Sequence, residues 1–203
     1  MAQMEKYVIT ISRQFASMGR SIAQMLSERL DIPFYDRDIV EETAKRMELP
    51  VSAISRKEEV SNSIYFKRQY PLGMGIQSMQ DEIFMIQTNI IRDLADKDSC
   101  IIVGRCADSI LSDYEKKLSV FVYAPYEVRC QNCIQFMNMD KATAEKMIKE
   151  VDKSRMLYHK RYCKGYKDEL TNKDMALNSG IFGIEGSVRM LEEALKERLG
   201  KKE

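Results

Sequence analysis

The stretch from Tyr7 to Ala23, YVITISRQFASMGRSIA, constrains the fold of this chain more than any other. Tyr7 to Ile11 is a short β-branched and aromatic run with little charge, as in a buried strand. Ile22, Met25, Leu26 and Leu30 instead recur at steps of three and four residues, the apolar stripe of a helix. The pattern predicts a strand, a tight loop and a helix start. Such a loop turns unpaired backbone N–H groups toward the positive end of the helix dipole, where phosphate binds with little further help.

The loop resembles a P-loop with several of its residues exchanged. That motif carries glycine at one end and Gly-Lys-Ser/Thr at the other, the lysine reaching the β and γ phosphates and the hydroxyl reaching Mg²⁺. In one register the match is Gly19-Arg20-Ser21, with Gln14 in place of the first glycine. Counted from the end of the strand, Arg13, Ala16 and Met18 take the glycine positions and Gly19 the lysine position. Neither register supplies a lysine. The loop alone leaves a nucleotide site and a plain strand-to-helix turn both open.

A chain of 203 residues predicts one domain with room for a small insertion. Its 32 basic and 31 acidic residues create no global field to attract nucleic acid or an anionic membrane, so any anion site must be local. No apolar run is long enough to span a bilayer, and the N-terminus lacks the apolar core of a signal peptide, so a cytoplasmic location is expected. The five cysteines are odd in number and fit reduced thiols. Cys130 and Cys133 form a Cys-x-x-Cys with no second pair, which reads as two thiols on an amphipathic helix rather than a zinc site. His159 stands alone in a charged helix, and its expected place is a solvated face.

Ile32 to Tyr35 reads as a second strand, after which Asp36 either caps a helix through Met47 or faces the loop together with Arg37. Residues 51 to 78 read as a mobile insertion, whose Tyr65, Phe66 and Tyr70 beside Lys67 and Arg68 suit either base stacking or packing. A helix from Gln77 to Asp96 follows, with Gln80, Glu82 and Gln87 turned outward. Cys100 to Val103 reads as a strand buried on both faces, and Arg105 just beyond it offers a planar fork for phosphate. Leu118 to Tyr123 is a strand, Pro125 opens a helix, and Asp174 to Ser179 gives the last strand and turn before a helix from Phe182 to Leu199. Between them Asp140 to Lys167 is helical and charged, a solvated face from which Lys153, Arg155, Lys160 and Arg161 would close as a lid. Alternating strands and helices predict a parallel sheet covered on both sides.

Together, Ile9-Thr-Ile-Ser-Arg-Gln-Phe15, Pro33-Phe-Tyr-Asp-Arg37, Val103-Gly-Arg-Cys-Ala-Asp108 and Leu177-Asn-Ser179 before Gly183-Ile-Glu-Gly186 resemble the cytidylate kinase-like family of bacterial P-loop proteins. The resemblance implies an α/β, three-layer fold of the P-loop nucleoside triphosphate hydrolase type: a central parallel sheet flanked by helices, with a helical acceptor-binding insertion and a helical lid. It places the core at about 1–47, 97–138 and 172–199, the insertion at about 48–96 and the lid at about 139–168 of a single domain. It implies transfer of the γ-phosphoryl of ATP, with Mg²⁺, to a nucleoside monophosphate or similar acceptor. Small nucleotides are then the partners, a homo-oligomer being left open.

By the same resemblance Ser12, Ala16, Ser17, Met18, Gly19, Arg20, Ser21 and Asn178 would bind the donor, with Ser21 on the metal. Asp36, Arg37, Arg105 and Asp108 would bind the acceptor, and Arg13, Arg20, Arg155 and Arg161 would neutralise the transferring group. Relatives commonly show Gly-Ser-Gly-Gly where this chain has Ala16-Ser-Met-Gly19, and Met18 is costly at φ > 0. The altered loop supports an alternative, a weak or inactive nucleotide- or phosphate-binding protein acting through partners.

Overall fold

The structure is a computed structural model and describes residues 6–51 and 76–200. The aromatic and basic cluster at Tyr65 to Tyr70, expected to stack or pack, lies outside the described residues. In chain order the elements are β1 (Val8–Arg13), α1 (Gly19–Leu30), β2 (Phe34–Tyr35), α2 (Arg37–Arg46), α3 (Ile76–Lys97), β3 (Cys100–Val103) and α4 (Ala107–Ile110). They continue with β4 (Lys117–Tyr123), α5 (Tyr126–Met137), α6 (Lys141–Tyr162), β5 (Met175–Asn178) and α7 (Ser179–Gly200).

The five strands form one sheet in the order β2-β3-β1-β4-β5, with every pairing parallel. β1 lies at the centre because its residues are apolar on both faces, as a strand covered from both sides must be. Ile9 and Ile11 pack with Ile22 and Leu26 of α1 and Val188, Leu191 and Leu195 of α7. Val8, one position out of phase, packs on the other face with Cys100 and Ile102 of β3 and Ile90, Ile91 and Ala95 of α3. Side chains alternate across a strand, so one short sequence serves two cores. Each buried isoleucine here contributes roughly 2 kcal/mol. Chain order reverses across β1, with β3 on one side and β4 on the other, which opens a crevice at the C-terminal ends of these strands.

α6 lies over that crevice. Asp140 caps it, accepting from Thr143 N at 2.9 Å. Its N-terminal half packs Ala144 and Ile148 on Ala16 of the loop and Cys133 of α5. Its C-terminal half meets α3, where Tyr162 stacks on Phe84 with ring centroids 4.1 Å apart and Tyr158 donates to Gln87 Oε1 at 3.1 Å. Gln87 is therefore buried, not solvated as its sequence context predicted. His159 is likewise turned inward, its side chain 16% exposed, because it shares the inner face of α6 with Arg155 and Cys163. The C-terminal helix begins at Ser179, earlier than expected, and kinks at Gly183 (φ 62°, ψ −173°).

Candidate functional site

The segment from Gln14 to Met18 joins β1 to α1 and is held from several directions. Gln14 N donates to Val122 O at 3.0 Å, and Gln14 Oε1 accepts from Ala124 N at 3.3 Å. The fully buried Ser17 hydroxyl lies 3.0 Å from Gln14 O and 3.1 Å from Val122 O, so its proton is used inside the loop. Asn132 Nδ2 donates to Ala16 O (2.8 Å), Arg129 Nη1 to Phe15 O (3.3 Å) and Ser179 Oγ to Ser17 O (2.7 Å). Ala16 (φ 58°) and Met18 (φ 61°) both occupy the left-handed region, the conformation that glycine adopts without cost. The exchanged residues thus retain a glycine-type backbone path, at a cost of roughly 1 kcal/mol each.

One loop amide already holds an oxyanion. Phe15 N donates to Asp152 Oδ1 at 2.7 Å, and Asp152 Oδ2 pairs with Arg129 Nη1 at 2.5 Å. The carboxylate that meets the loop comes from α6.

The missing lysine has a steric explanation. A Cβ at Gly19 would lie 2.8 Å from Arg13 Cβ, and one at Gly104 would lie 2.2 Å from Arg13 Nη1. Arg13 therefore threads from the end of β1 between two glycines. With arginine at 13 the lysine position must be glycine, and the cation enters the cradle from the strand instead of the helix. Its Nη2 lies 3.4 Å from Asp36 Oδ1, while Arg20 Nε lies 3.0 Å from Asp36 Oδ2. Asp36 is buried and stands at the N-terminus of α2, yet its side chain makes no capping bond there.

Arg155 Nη1 donates to Arg13 O at 2.9 Å, bringing a second guanidinium beside the first. A cleft of about 370 Å³ opens between them, lined by Ser12, Arg13, Gly104, Arg105, Arg155 and His159 among others. A smaller one of about 150 Å³ shares Ser12, Arg13, Arg155 and His159 and is bounded by Gln14 and Asp152. Burial, and then the charge of Arg155, push Arg13 down to about 9, with Arg105 and Arg20 adding to the effect and Asp36 opposing it. Burial also lowers Arg155, against the pull of Asp152 and Asp36. Such crowding of positive charge in a crevice is relieved by an anion.

The structure thus brings together Ser12, Arg13, Arg105 and Arg155, with Arg20 joined to them through Asp36. Ala16 and Ser17 are buried in the loop itself, Met18 is the N-cap of α1, Gly19 is its buried first residue, and Ser21 is half-buried in its first turn. Asn178 ends β5, where its Oδ1 accepts from Gly180 N at 3.1 Å. Three residues sit apart. Arg37 is exposed and lines neither cleft, and Arg161 binds Asp81 at 2.8 Å on the outer side of α6. Asp108 is buried behind the cleft, its Oδ2 2.5 Å from Lys173 Nζ.

Sequence reasoning passed over Asp152 and Arg129, which lie in charged or helical runs and show no signal of their own. It also passed over a cluster of Cys106, His159 and Cys163, each offering a ligand atom within 4.8 Å of the other two. The four-residue step from His159 to Cys163 places both on one helical face and was the available signal.

The sheet order, the strand–loop–helix at its centre and the arginine-lined crevice define a P-loop kinase-type α/β protein. The described residues include no helix long and apolar enough to cross a membrane. The chain belongs to the cytidylate kinase-like family, whose model matches residues 8–181. It is similar to an uncharacterised protein of known structure from Eubacterium ventriosum, at 26% identity and a TM-score of 0.72, over 94% of this chain and 99% of that one. Shikimate kinase from Bacteroides thetaiotaomicron shares the fold at 14% identity and a TM-score of 0.56, covering 94% and 98% of the two chains. A gluconokinase from Sinorhizobium meliloti does so at 13% identity and a TM-score of 0.56, covering 97% and 95%. Among curated proteins none matches the chain.

Proposed function

We propose that this chain is a phosphotransferase that moves the γ-phosphoryl of ATP to a nucleoside monophosphate or a similar small phosphorylated acceptor. The observation that carries the proposal is the convergence of Arg13, Arg105 and Arg155 on one cleft beside the N-terminus of α1. Phosphoryl transfer needs little beyond positioning and charge neutralisation, and the attacking phosphate oxygen is already anionic, so no general base is required.

In this reading α1 and Arg13 hold the donor phosphates, while Arg155 approaches from the lid to balance the charge that spreads over the transferring group. Arg105, at the mouth of the cleft, grips the acceptor phosphate with its fork. Asp36 orients Arg13 and Arg20, and α6 excludes water. The phosphate chemistry fits the residues present, since a loop amide already donates to a carboxylate. Mg²⁺ would be held by the hydroxyl of Ser21, half-buried in the first turn of α1, whereas Ser17 is fully enclosed within the loop. When bound, the metal would supply further neutralisation of the donor phosphates. The three parts proposed for the domain follow the same division: the sheet with α1, α5 and α7 as core, the segment before β3 on the acceptor side, and α6 as lid.

The test is ADP release from ATP and Mg²⁺ across a panel of nucleoside monophosphates, with Arg105→Ala beside the wild type. Turnover with a particular acceptor, reduced roughly 10²–10³-fold in the variant chiefly through KM for that acceptor, is the expected result. A second reading, a phosphate-binding protein without turnover, is favoured by the Asp152 carboxylate on Phe15 N. ATP binding without ADP release in folded protein, across the whole panel, would decide for that second reading.

A further inference from the structure

Cys106 begins α4 just after Arg105, whereas His159 and Cys163 lie one turn apart near the end of α6. Their ligand atoms gather within 4.8 Å of one another. The imidazole is already set as a ligand. His159 Nδ1 lies 3.0 Å from Arg155 O, and only an N–H can satisfy a carbonyl at that distance, so Nδ1 carries the proton and Nε2 the lone pair. Nε2 is buried and has no hydrogen-bond partner. Asp108 Oδ1, 3.8 Å from it, is also buried and without a partner. Two acceptors thus face each other, and neither receives a hydrogen bond. Neither atom is served by the kinase chemistry, and a disulfide between the two cysteines would leave both unsatisfied.

We propose that Cys106, His159 and Cys163 bind a zinc ion, with Asp108 Oδ1, 3.8 Å from His159 Nε2 and outside the three-residue cluster, closing in as the fourth ligand. Two sulfurs, one imidazole nitrogen and one carboxylate oxygen form a tetrahedral set that zinc accepts. Soft thiolates argue against Mg²⁺ and Ca²⁺. Binding releases the two thiol protons to solvent and leaves two thiolates and the Asp108 carboxylate. The dication and the Lys173 ammonium, 2.5 Å from Asp108 Oδ2, balance these three charges, so the buried site is neutral as a whole. His159 lines both clefts, which gives the ion a path inward. Once bound, the ion fastens the end of the lid helix to the turn that carries Arg105. The inference stands whether or not the chain transfers phosphate.

The test uses the full chain, reduced, stripped with a chelator and shown to be folded by circular dichroism. Titration with Co²⁺ is expected to give intense visible bands of tetrahedral cobalt and a thiolate-to-cobalt charge-transfer band, both bleached by Zn²⁺. Cys106→Ser and Cys163→Ser should each weaken Zn²⁺ binding at least ~100-fold in chelator competition, since loss of a ligand exceeds the 10–100-fold cost of losing an outer partner. Cys130→Ser should bind as the wild type does, and Asp108→Asn should move the visible bands. X-ray absorption of the zinc-loaded wild type, which needs no variant, should show two sulfurs at about 2.3 Å. Absence of the charge-transfer band in folded wild type, its survival in both serine variants, or a shell of nitrogen and oxygen alone would overturn the site. An unshifted spectrum in Asp108→Asn would remove Asp108 from it.

Discussion

Gly104→Ala tests whether Arg13 supplies the cation of the cradle. Gly104 has φ +79°, so alanine there costs about 1 kcal/mol in backbone strain alone. Its new methyl would also lie 2.2 Å from Arg13 Nη1, a distance no contact tolerates, so the guanidinium must leave its position. Leaving separates Arg13 from the buried Asp36, 3.4 Å away. Breaking a buried pair outright costs about 3–5 kcal/mol, but Asp36 keeps Arg20 and part of this is recovered. A further loss of about 1–2 kcal/mol remains, for a total near 2–3 kcal/mol.

In an Arg13→Ala background no guanidinium is left to displace, and only the backbone cost of about 1 kcal/mol survives. Urea unfolding of the wild type, both single variants and the double variant should therefore give a coupling energy of about 1–2 kcal/mol. ATP affinity should fall roughly tenfold in Gly104→Ala and no further in the double variant, as a loss of about 1.4 kcal/mol implies. An equal cost of Gly104→Ala in both backgrounds would refute the threading of Arg13 between the glycines.

Gly19→Lys alone should destabilise by about 1–3 kcal/mol, because its Cβ would meet Arg13 Cβ at 2.8 Å, and adding Arg13→Gly should restore the midpoint in thermal melts. Asp152→Ala should cost about 3 kcal/mol in urea unfolding, since it strands the buried Arg129; a loss below about 1 kcal/mol would mean that the pair is solvated. Arg155→Ala should lower turnover about 10²–10³-fold while Arg161→Ala, whose partner Asp81 is exposed, leaves it within a factor of about two. With Arg13 held near 9 in the free protein, pyrophosphate affinity should be full below that pH and fall as pH rises through it; equilibrium titration of Arg13→Ala should lack this step.

Periodicity made most of the sheet legible. β3 and β4 were placed within a residue because Cys100–Val103 and Leu118–Tyr123 are buried on both faces, and burial on both faces leaves an unbroken apolar run. β2 shrank to Phe34–Tyr35 because it pairs on one side only, with β3, and no further neighbour extends it. Arg13 and Arg105 were legible from their place at strand ends, which a parallel sheet turns into one crevice. What makes Arg13 fit was not, because two glycines distant in the chain act through the volume they leave empty. Gln87 and His159 were misplaced for a related reason. A polar residue on a helix reads as solvated until another element covers it, and the cover here, Tyr158 over Gln87 and Asp108 beside His159, comes from elsewhere in the chain.

The same contacts bear on how α6 would act as the proposed lid. α6 touches the phosphate loop through Asp152 on Phe15 N and Arg155 on Arg13 O, and it touches the turn after β3 through the cluster around His159. Its two loop contacts differ in kind. Asp152 occupies a donor that an incoming phosphate would use, whereas Arg155 donates to a carbonyl and lies beside the cleft with a charge that phosphate would attract. A donor phosphate therefore competes with the first contact and strengthens the electrostatic role of the second. On the proposed function, binding would exchange a carboxylate for a phosphate on the loop, and the proposed zinc ion would hold the far end of α6.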